Sequence, residues 1–147
     1  IKKKIFKASF IILIFAFLIL NFSYYLHIYY VHGPLETSRD WLYGYKQVVD
    51  YVNDYNQNYQ KIIITTVYDQ PYIYFLFYQR PLKVVINNGE FSKGFANLEF
   101  RPIRWEDDNK LNNVLLIGTA AEIPDNDKIV KEINFLDGKT AFKMVSL

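Results

Sequence analysis

The chain opens on a long apolar segment, which is apolar on every face from Ile11 to Leu20. A predominantly apolar run extends from Ala8 to Phe22, and aromatic and aliphatic residues continue it through Tyr30. A helix from Ala8 to Ile28 would rise about 31 Å, close to the roughly 30 Å hydrocarbon core of a bilayer. The pattern predicts a transmembrane helix within residues 1–32.

The two ends of this segment differ. Lysines precede it and tyrosines lie near its far end: Lys2, Lys3, Lys4 and Lys7, then Tyr24, Tyr25, Tyr29 and Tyr30. Positive charge marks the cytoplasmic end, and tyrosines favour the membrane–water interface. We therefore expect a cell-membrane location, with the bilayer as a partner and residues after about 32 on the extracytoplasmic side. A cleavable signal peptide would need a small-x-small cleavage site, and a buried soluble helix would need only one apolar face.

An amphipathic pattern follows the apolar segment. Gly33 and Pro34 are expected to break the first helix, and Thr37 or Ser38 to cap the next one. Apolar side chains then recur at spacings of three and four: Trp41, Tyr45, Val48, Val49 and Val52. This spacing predicts a helix that ends at about Tyr55.

A β-branched run and an aromatic run come next. Lys61–Val67 is typical of a short buried strand. Asp69 is placed to cap a helix that has Pro71 in its first turn, and Tyr72–Tyr78 continues that helix. Together these segments predict a βα unit.

The middle of the chain predicts short strands separated by polar turns. Val84–Ile86 is typical of a strand and Asn87–Gly89 of a turn. Leu98–Ile103 alternates as a strand does, Asp107–Asn109 is expected to be a loop, and Asn113–Gly118 predicts a clearly buried strand. We expect the strands within Leu98–Ile103 and Asn113–Gly118 to pair.

The last segment predicts a β-hairpin. Ile129–Phe135 and Ala141–Val145 flank Asp137 and Gly138, a pair that suits a tight primed turn. The fold class is therefore α/β: one N-terminal transmembrane helix, then residues 33–147 as a small extracytoplasmic domain. That domain has a mixed sheet of five or six strands, about two helices and a C-terminal hairpin.

Composition excludes several function classes. The chain has 147 residues, the size of one ordinary domain, and a hydrophobic fraction of 51% that excludes disorder. A net charge of +2 without a basic stripe argues against nucleic-acid binding. Cysteine is absent and only His27 and His32 are histidines, which excludes thiolate metal sites and a histidine-based triad in the domain. The glycines have no nucleotide-binding spacing, so no cofactor is expected.

Candidate chemistry is sparse. The segment containing Tyr68, Asp69, Gln70 and Tyr72 joins a strand to a helix N-terminus, where free amide donors suit an acidic ligand. The same residues also fit a structural cap with packed aromatics. Asp107–Asp108 has the form of paired carboxylates but also that of a solvated loop. The tyrosines near the membrane suit either a sugar or lipid path or simple interfacial anchoring.

Four segments carry a resemblance to a known family. They are the lysine-flanked helix with its tyrosines, Trp41–Lys46, Tyr68–Tyr78 and Phe135–Phe142. Together they resemble the C-terminal end of bacterial integral-membrane glycosyltransferases of family 39. That family includes dolichyl-phosphate-mannose protein mannosyltransferases and the aminoarabinose transferase of lipid A.

The resemblance implies a polytopic enzyme of the C-type glycosyltransferase fold. Such an enzyme moves a sugar from a polyprenyl-phosphate donor to a protein, lipid or glycan acceptor. Its catalytic carboxylate lies in the first extracytoplasmic loop, which has no counterpart here, so this chain alone is expected to be inactive. Because the chain begins with Ile1, we expect further membrane helices upstream as partners. The alternative is a single-span protein whose outer domain binds a ligand or partner without catalysis.

Overall fold

A computed structural model describes residues 2–79, 93–125 and 128–147, with only the backbone described for residues 2–4 and Phe95. The predicted strand Val84–Ile86 and turn Asn87–Gly89 lie outside these residues. The helices are α1 (Lys2–His27), α2 (Gly33–Thr37), α3 (Tyr45–Tyr55), α4 (Pro71–Gln79) and α5 (Trp105–Asp108). The strands are β1 (Lys61–Ile64), β2 (Gly94–Phe95), β3 (Leu98–Phe100), β4 (Val114–Gly118), β5 (Ile129–Asn134) and β6 (Thr140–Ser146).

The N-terminal helix is long and apolar enough to cross a membrane. The candidate span is Ile5–Thr37, and none of its most apolar window is buried, unlike a helix in a soluble core. A signal sequence would meet the same criteria of length and composition.

The predicted helix break at Gly33 and Pro34 is wrong. A π-helical turn, Ile28–His32, joins α1 to α2, and the Gly33 N–H donates to the carbonyl of Ile28 five residues earlier. Pro34 lacks an N–H, and its ring would meet the carbonyl of Tyr30 in a regular α-helix. The wider π-helical turn directly before it relieves that conflict, so the helix continues to Thr37.

The six described strands form one mixed sheet in the order β2-β3-β1-β4-β6-β5. Strand β1 lies parallel to both β3 and β4, with Ile62 opposite Leu98 on one side and Leu115 on the other. The remaining pairs are antiparallel, and β5 with β6 forms the predicted hairpin. This confirms the mixed α/β fold. The predicted pairing of β3 with β4 is wrong, because β1 lies between them.

Helix α3 confirms the predicted apolar face but not the predicted start. Val48, Val49 and Val52 are fully buried, and the helix ends at Tyr55. Its N-cap is Gly44, with a positive φ of 108°. The Thr37 hydroxyl instead donates to the carbonyl of Gly33, at 2.7 Å, so it serves α2. The Ser38 hydroxyl likewise bonds the carbonyl of Leu35.

The sheet has a large and a small apolar cluster on opposite faces. Alternation along β1 places Ile62 and Ile64 in the large cluster with residues of α3 and α4, and Ile63 in the small one. Phe75 of α4 is fully buried on the large side. Trp105 covers the small cluster. Helices α3 and α4 therefore pack on one face of the sheet, and α5 together with the segments after β3 and β4 covers the other.

Two predicted segments differ in detail. Strand β1 ends at Ile64 rather than Val67, and Thr65 then begins the turn toward α4. The hairpin turn is not of the primed type, since Gly138 alone has a positive φ, of 86°. Its N–H donates to the carbonyl of Phe135, and Phe135 N–H to the carbonyl of Lys139, which leaves glycine in a bulge after the turn.

Candidate functional site

A cleft lined by both polar and apolar side chains lies at the carboxyl ends of β1 and β4. The two strands are parallel, so their ends meet at the same edge of the sheet, where open α/β sheets bind ligands. The cleft has a volume of about 280 Å³. Its lining comes from four separate segments: Arg39, then Val67 and Tyr68, then Thr119, Ala120 and Ala121, then Phe135, Asp137, Lys139 and Thr140.

Glu122 holds the strand ends beside this cleft in place. One carboxylate oxygen accepts the Thr65 hydroxyl at 2.8 Å and the Ile103 N–H at 3.0 Å. The other accepts both the N–H and the hydroxyl of Thr119, each at 3.0 Å. One side chain thus ties together the segments that follow β1, β3 and β4. We call this arrangement the Glu122 clamp.

Tyr68 and Arg39 form one wall of the cleft. The guanidinium carbon of Arg39 lies 6.0 Å from the centre of the Tyr68 ring, at the outer limit of a cation–π contact. The edges of the Tyr68 ring meet Phe135 and Phe142 at 5.8 and 5.4 Å between ring centres. Burial raises the pKa of Tyr68, and the nearby positive charge of Arg39 opposes that rise. Tyr68 is therefore a neutral hydroxyl donor at neutral pH.

The β5–β6 turn supplies the opposite wall. Asp137 accepts the backbone N–H of Lys139 and pairs with its ammonium group, both at 3.0 Å. These two interactions, the backbone bond first, lower the pKa of Asp137. With Arg39, Lys139, Thr119 and Thr140, the cleft presents two cations and two hydroxyls against one carboxylate. This chemistry suits a polar or anionic ligand that is rich in oxygen.

The structure places the four predicted site residues apart. Tyr68 lines the cleft. Asp69 has a positive φ of 73°, and the residue directly before α4 is Gln70, so the predicted cap at Asp69 is wrong. A side-chain cap such as Asp typically has extended backbone, whereas Asp69 completes a turn in which its N–H donates to the carbonyl of Thr66. The Tyr72 hydroxyl donates to the side-chain oxygen of Gln70, at 2.9 Å, on the exposed surface.

Sequence reasoning missed five polar residues of the cleft: Arg39, Thr119, Asp137, Lys139 and Thr140. A local signal existed for one of them. Thr119 directly follows a buried strand, as Thr65 does, and hydroxyls at that position face the ligand edge of a parallel sheet. The others come from segments distant in sequence and carry no such signal.

The predicted loop at Asp107–Asp108 is wrong. These residues end the short helix α5, and Asp108 is buried. Its carboxylate accepts hydrogen bonds from both terminal nitrogens of Arg101, at 2.6 and 2.8 Å, and from the backbone N–H of Arg104, at 2.7 Å. These hydrogen bonds, that from Arg101 first, lower the pKa of Asp108. The residue is a structural anchor rather than half of a catalytic pair.

An apolar groove lies where the long helix meets the domain. It has a volume of about 520 Å³, and we call it the junction groove. Its walls are Ile28, Tyr29, Tyr30, Gly33, Pro34, Thr37, Ser38, Trp41, Tyr43 and Leu136. Ser38 and Leu136 in the groove are next in sequence to Arg39 and Asp137 in the cleft. The groove and the cleft are therefore lined in part by the same two backbone segments.

Metal chemistry has no support in the residues that the structure describes, since no three potential ligands cluster there. Comparison with protein-family models, curated proteins and solved structures finds no match to this chain. The resemblance to family 39 therefore stays a prediction from the sequence, and the function is argued from the site.

Proposed function

We propose that this chain is the C-terminal, extracytoplasmic part of a polytopic membrane glycosyltransferase that uses a polyprenyl-phosphate sugar. In this proposal its cleft contacts the acceptor or the polar head of the donor, and the catalytic site lies in upstream membrane segments. The observation that carries the proposal is that two backbone segments line both the cleft, with its charged side chains, and the apolar junction groove.

Such an arrangement suits an amphiphilic substrate. A lipid-linked sugar has a hydrocarbon tail that stays in the bilayer and a head of phosphate and hydroxyl groups. Arg39 supplies a positive charge for a phosphate, and Lys139 adds a second one that it shares with Asp137. Thr140 supplies a hydroxyl for a sugar, whereas the Thr119 hydroxyl donates to Glu122 and is left as an acceptor. The groove begins at Ile28, where the helix leaves the hydrocarbon core if that core starts at Ala8.

The acidic residues next to the cleft support a binding role rather than catalysis by this domain. Both oxygens of Glu122 are occupied by hydrogen bonds to the strand ends. Asp137 is paired with Lys139. A general base needs a carboxylate that is free to accept a proton from substrate. Chemistry on a lipid-linked donor would therefore require a carboxylate elsewhere, as the family resemblance implies.

The orientation in the proposal follows from the lysines before the helix. With them on the cytoplasmic side of the cell membrane, the domain and its cleft lie outside, where sugars are transferred from polyprenyl carriers. The partners are then the bilayer, the upstream helices of the same protein, and a protein, lipid or glycan acceptor.

A transfer assay in membranes tests the proposal. The full-length protein, including whatever the reading frame encodes before Ile1, is compared with a version that ends before Thr37. The donor is a radiolabelled polyprenyl-phosphate sugar. Arg39→Gln removes a cleft cation, and Arg104→Gln is the matched control on a different surface. We expect transfer to be lost or redirected on truncation and weakened by Arg39→Gln alone.

Two results would overturn the proposal. One is a reading frame that starts within a few residues of Ile1, with no upstream apolar spans. The other is the absence of transfer by a correctly inserted full-length protein with a range of donors. Either result would favour a single-span protein with a ligand-binding outer domain.

A further inference from the structure

The junction groove has a composition unlike the rest of the domain surface. Tyr29 and Tyr30 of the π-helical turn face it, as do Trp41 and Leu136 from the domain. Trp41 is 80% exposed and Leu136 is 40% exposed. Large side chains left open in a continuous patch mark an interaction site in a soluble setting.

The position of the groove along the helix identifies its surroundings. A hydrocarbon core of roughly 30 Å that begins at Ala8 ends near Ile28. The groove extends from there to Thr37, a rise of about 14 Å, through and beyond the headgroup layer. Its lower end therefore opens at the edge of the hydrocarbon core, and its upper end reaches the domain.

We propose that the junction groove binds an acyl chain of a phospholipid from the adjacent leaflet. The acyl chain enters the groove at Ile28 and is covered by Trp41 and Leu136. These two side chains replace the contacts that the acyl chain made with neighbouring lipid tails in the bilayer. Because the groove begins at the hydrocarbon edge, a bilayer lipid reaches it without crossing water. The inference stands whether or not the protein is a transferase.

The chain carries a convenient reporter for this contact. It has two tryptophans, and Trp41 lines the groove whereas Trp105 packs on the small cluster on the other face of the sheet. Trp105→Phe leaves Trp41 as the single tryptophan, and Trp41→Phe leaves Trp105. Bromine atoms on lipid chains quench tryptophan emission only at close range.

The experiment places the whole chain in phosphatidylcholine vesicles with bromines near the top, middle or end of the acyl chain. We expect strong quenching of Trp41, greatest with bromines near the middle or end of the acyl chain, because those carbons extend furthest up the groove. We expect no quenching of Trp105. Leu136→Asp adds a charge to the groove at an exposed turn position. Leu111→Asp is the control, since Leu111 has a similar exposure of 38% and does not line the groove.

The outcomes separate the possible occupants. Loss of most Trp41 quenching in Leu136→Asp, with full quenching in Leu111→Asp, supports the bound acyl chain. Quenching that is equal in both variants would overturn it, because Trp41 would then touch the bilayer outside the groove. Absence of quenching by any brominated lipid would also overturn it, because no acyl chain would then reach Trp41. Unchanged Trp105 emission in the Leu136→Asp, Trp41→Phe double variant shows that the domain stays folded.

Discussion

Replacing Glu122 by glutamine should destabilise the domain without changing its shape. The Glu122 clamp accepts four hydrogen bonds, two of them from the backbone N–H groups of Ile103 and Thr119. Glutamine keeps one acceptor oxygen and replaces the other by an NH₂ group. In either orientation of the amide, one backbone N–H faces another donor.

The cost follows from that mismatch. A buried donor left without a partner costs about 1–3 kcal/mol, and bonds to a charged acceptor exceed neutral ones by about 1 kcal/mol each. Because Glu122 is only partly buried, we expect a loss of about 3 kcal/mol in the free energy of unfolding. Glu106→Gln, at an exposed position of α5, should change it by less than about 0.5 kcal/mol.

Urea unfolding of the whole chain in a mild detergent measures the loss. Trp105 is the reporter in a Trp41→Phe background, because it packs beside Ile103, which the Glu122 clamp holds. With a slope of about 1–2 kcal/mol per molar urea, the midpoint should fall by about 1.5–3 M. A midpoint that moves no more than in Glu106→Gln would refute the reasoning and mean that water satisfies the strand ends.

Three further predictions concern stability. Asp108→Asn should cost about 2–3 kcal/mol, because Arg101 loses its buried partner. The pKa of Asp108 is lower in the folded state than in the unfolded state, so its ionisation stabilises the native chain fully above about pH 4. That stabilisation is lost as the pH falls through the folded-state pKa. Urea midpoints measured from pH 3 to 7 should therefore depend less on pH in Asp108→Asn than in the unchanged chain. Phe75→Ala should lower the free energy of unfolding by about 3–5 kcal/mol, because Phe75 is fully buried. Phe77, on the same helix, is 65% exposed, so Phe77→Ala should change the free energy of unfolding little. Thermal unfolding measures both. Gly138→Val should cost about 1–2 kcal/mol from its positive φ alone, since nothing lies within 4 Å of an added Cβ, and Gly138→Asn should recover part of the melting temperature.

Elements with a regular pattern were predictable from the sequence. The spacing of Val48, Val49 and Val52 identified the buried face of α3, and the β-branched run around Ile63 identified a buried strand. The hairpin followed from two apolar runs around Gly138. In each case the period of the pattern is local, so no knowledge of distant segments was needed.

Strand order and polar contacts were not predictable in the same way. Nothing in β3 or β4 indicates that β1 separates them, because the choice of partner depends on the connections across the whole sheet. Asp108 looks like a loop residue until α5 turns its carboxylate toward Arg101. An ion pair between residues seven positions apart leaves no periodic trace in a single sequence.

The candidate cleft was predictable only in part for the same reason. Tyr68 was found because it follows a strand and precedes a helix. Arg39 and Lys139 belong to the cleft only because the segment after α2 and the β5–β6 turn meet at the end of the sheet. The position of Tyr68 between a strand and a helix locates the edge of the sheet, but only the tertiary fold shows which charged side chains lie there.

The central place of β1 has a consequence for biosynthesis. Both of its neighbours, β3 and β4, are made later, and at 5–20 residues per second β4 follows β1 by roughly 2–10 s. During that time Ile62, Ile63 and Ile64 form a β-prone segment with two unpaired edges, a target for aggregation. The ammonium group of Lys61, which finds its partner Glu99 only when β3 arrives, is the adjacent charge that opposes such contacts. Production of this domain should therefore be limited by protection of the nascent chain rather than by the stability of the finished sheet.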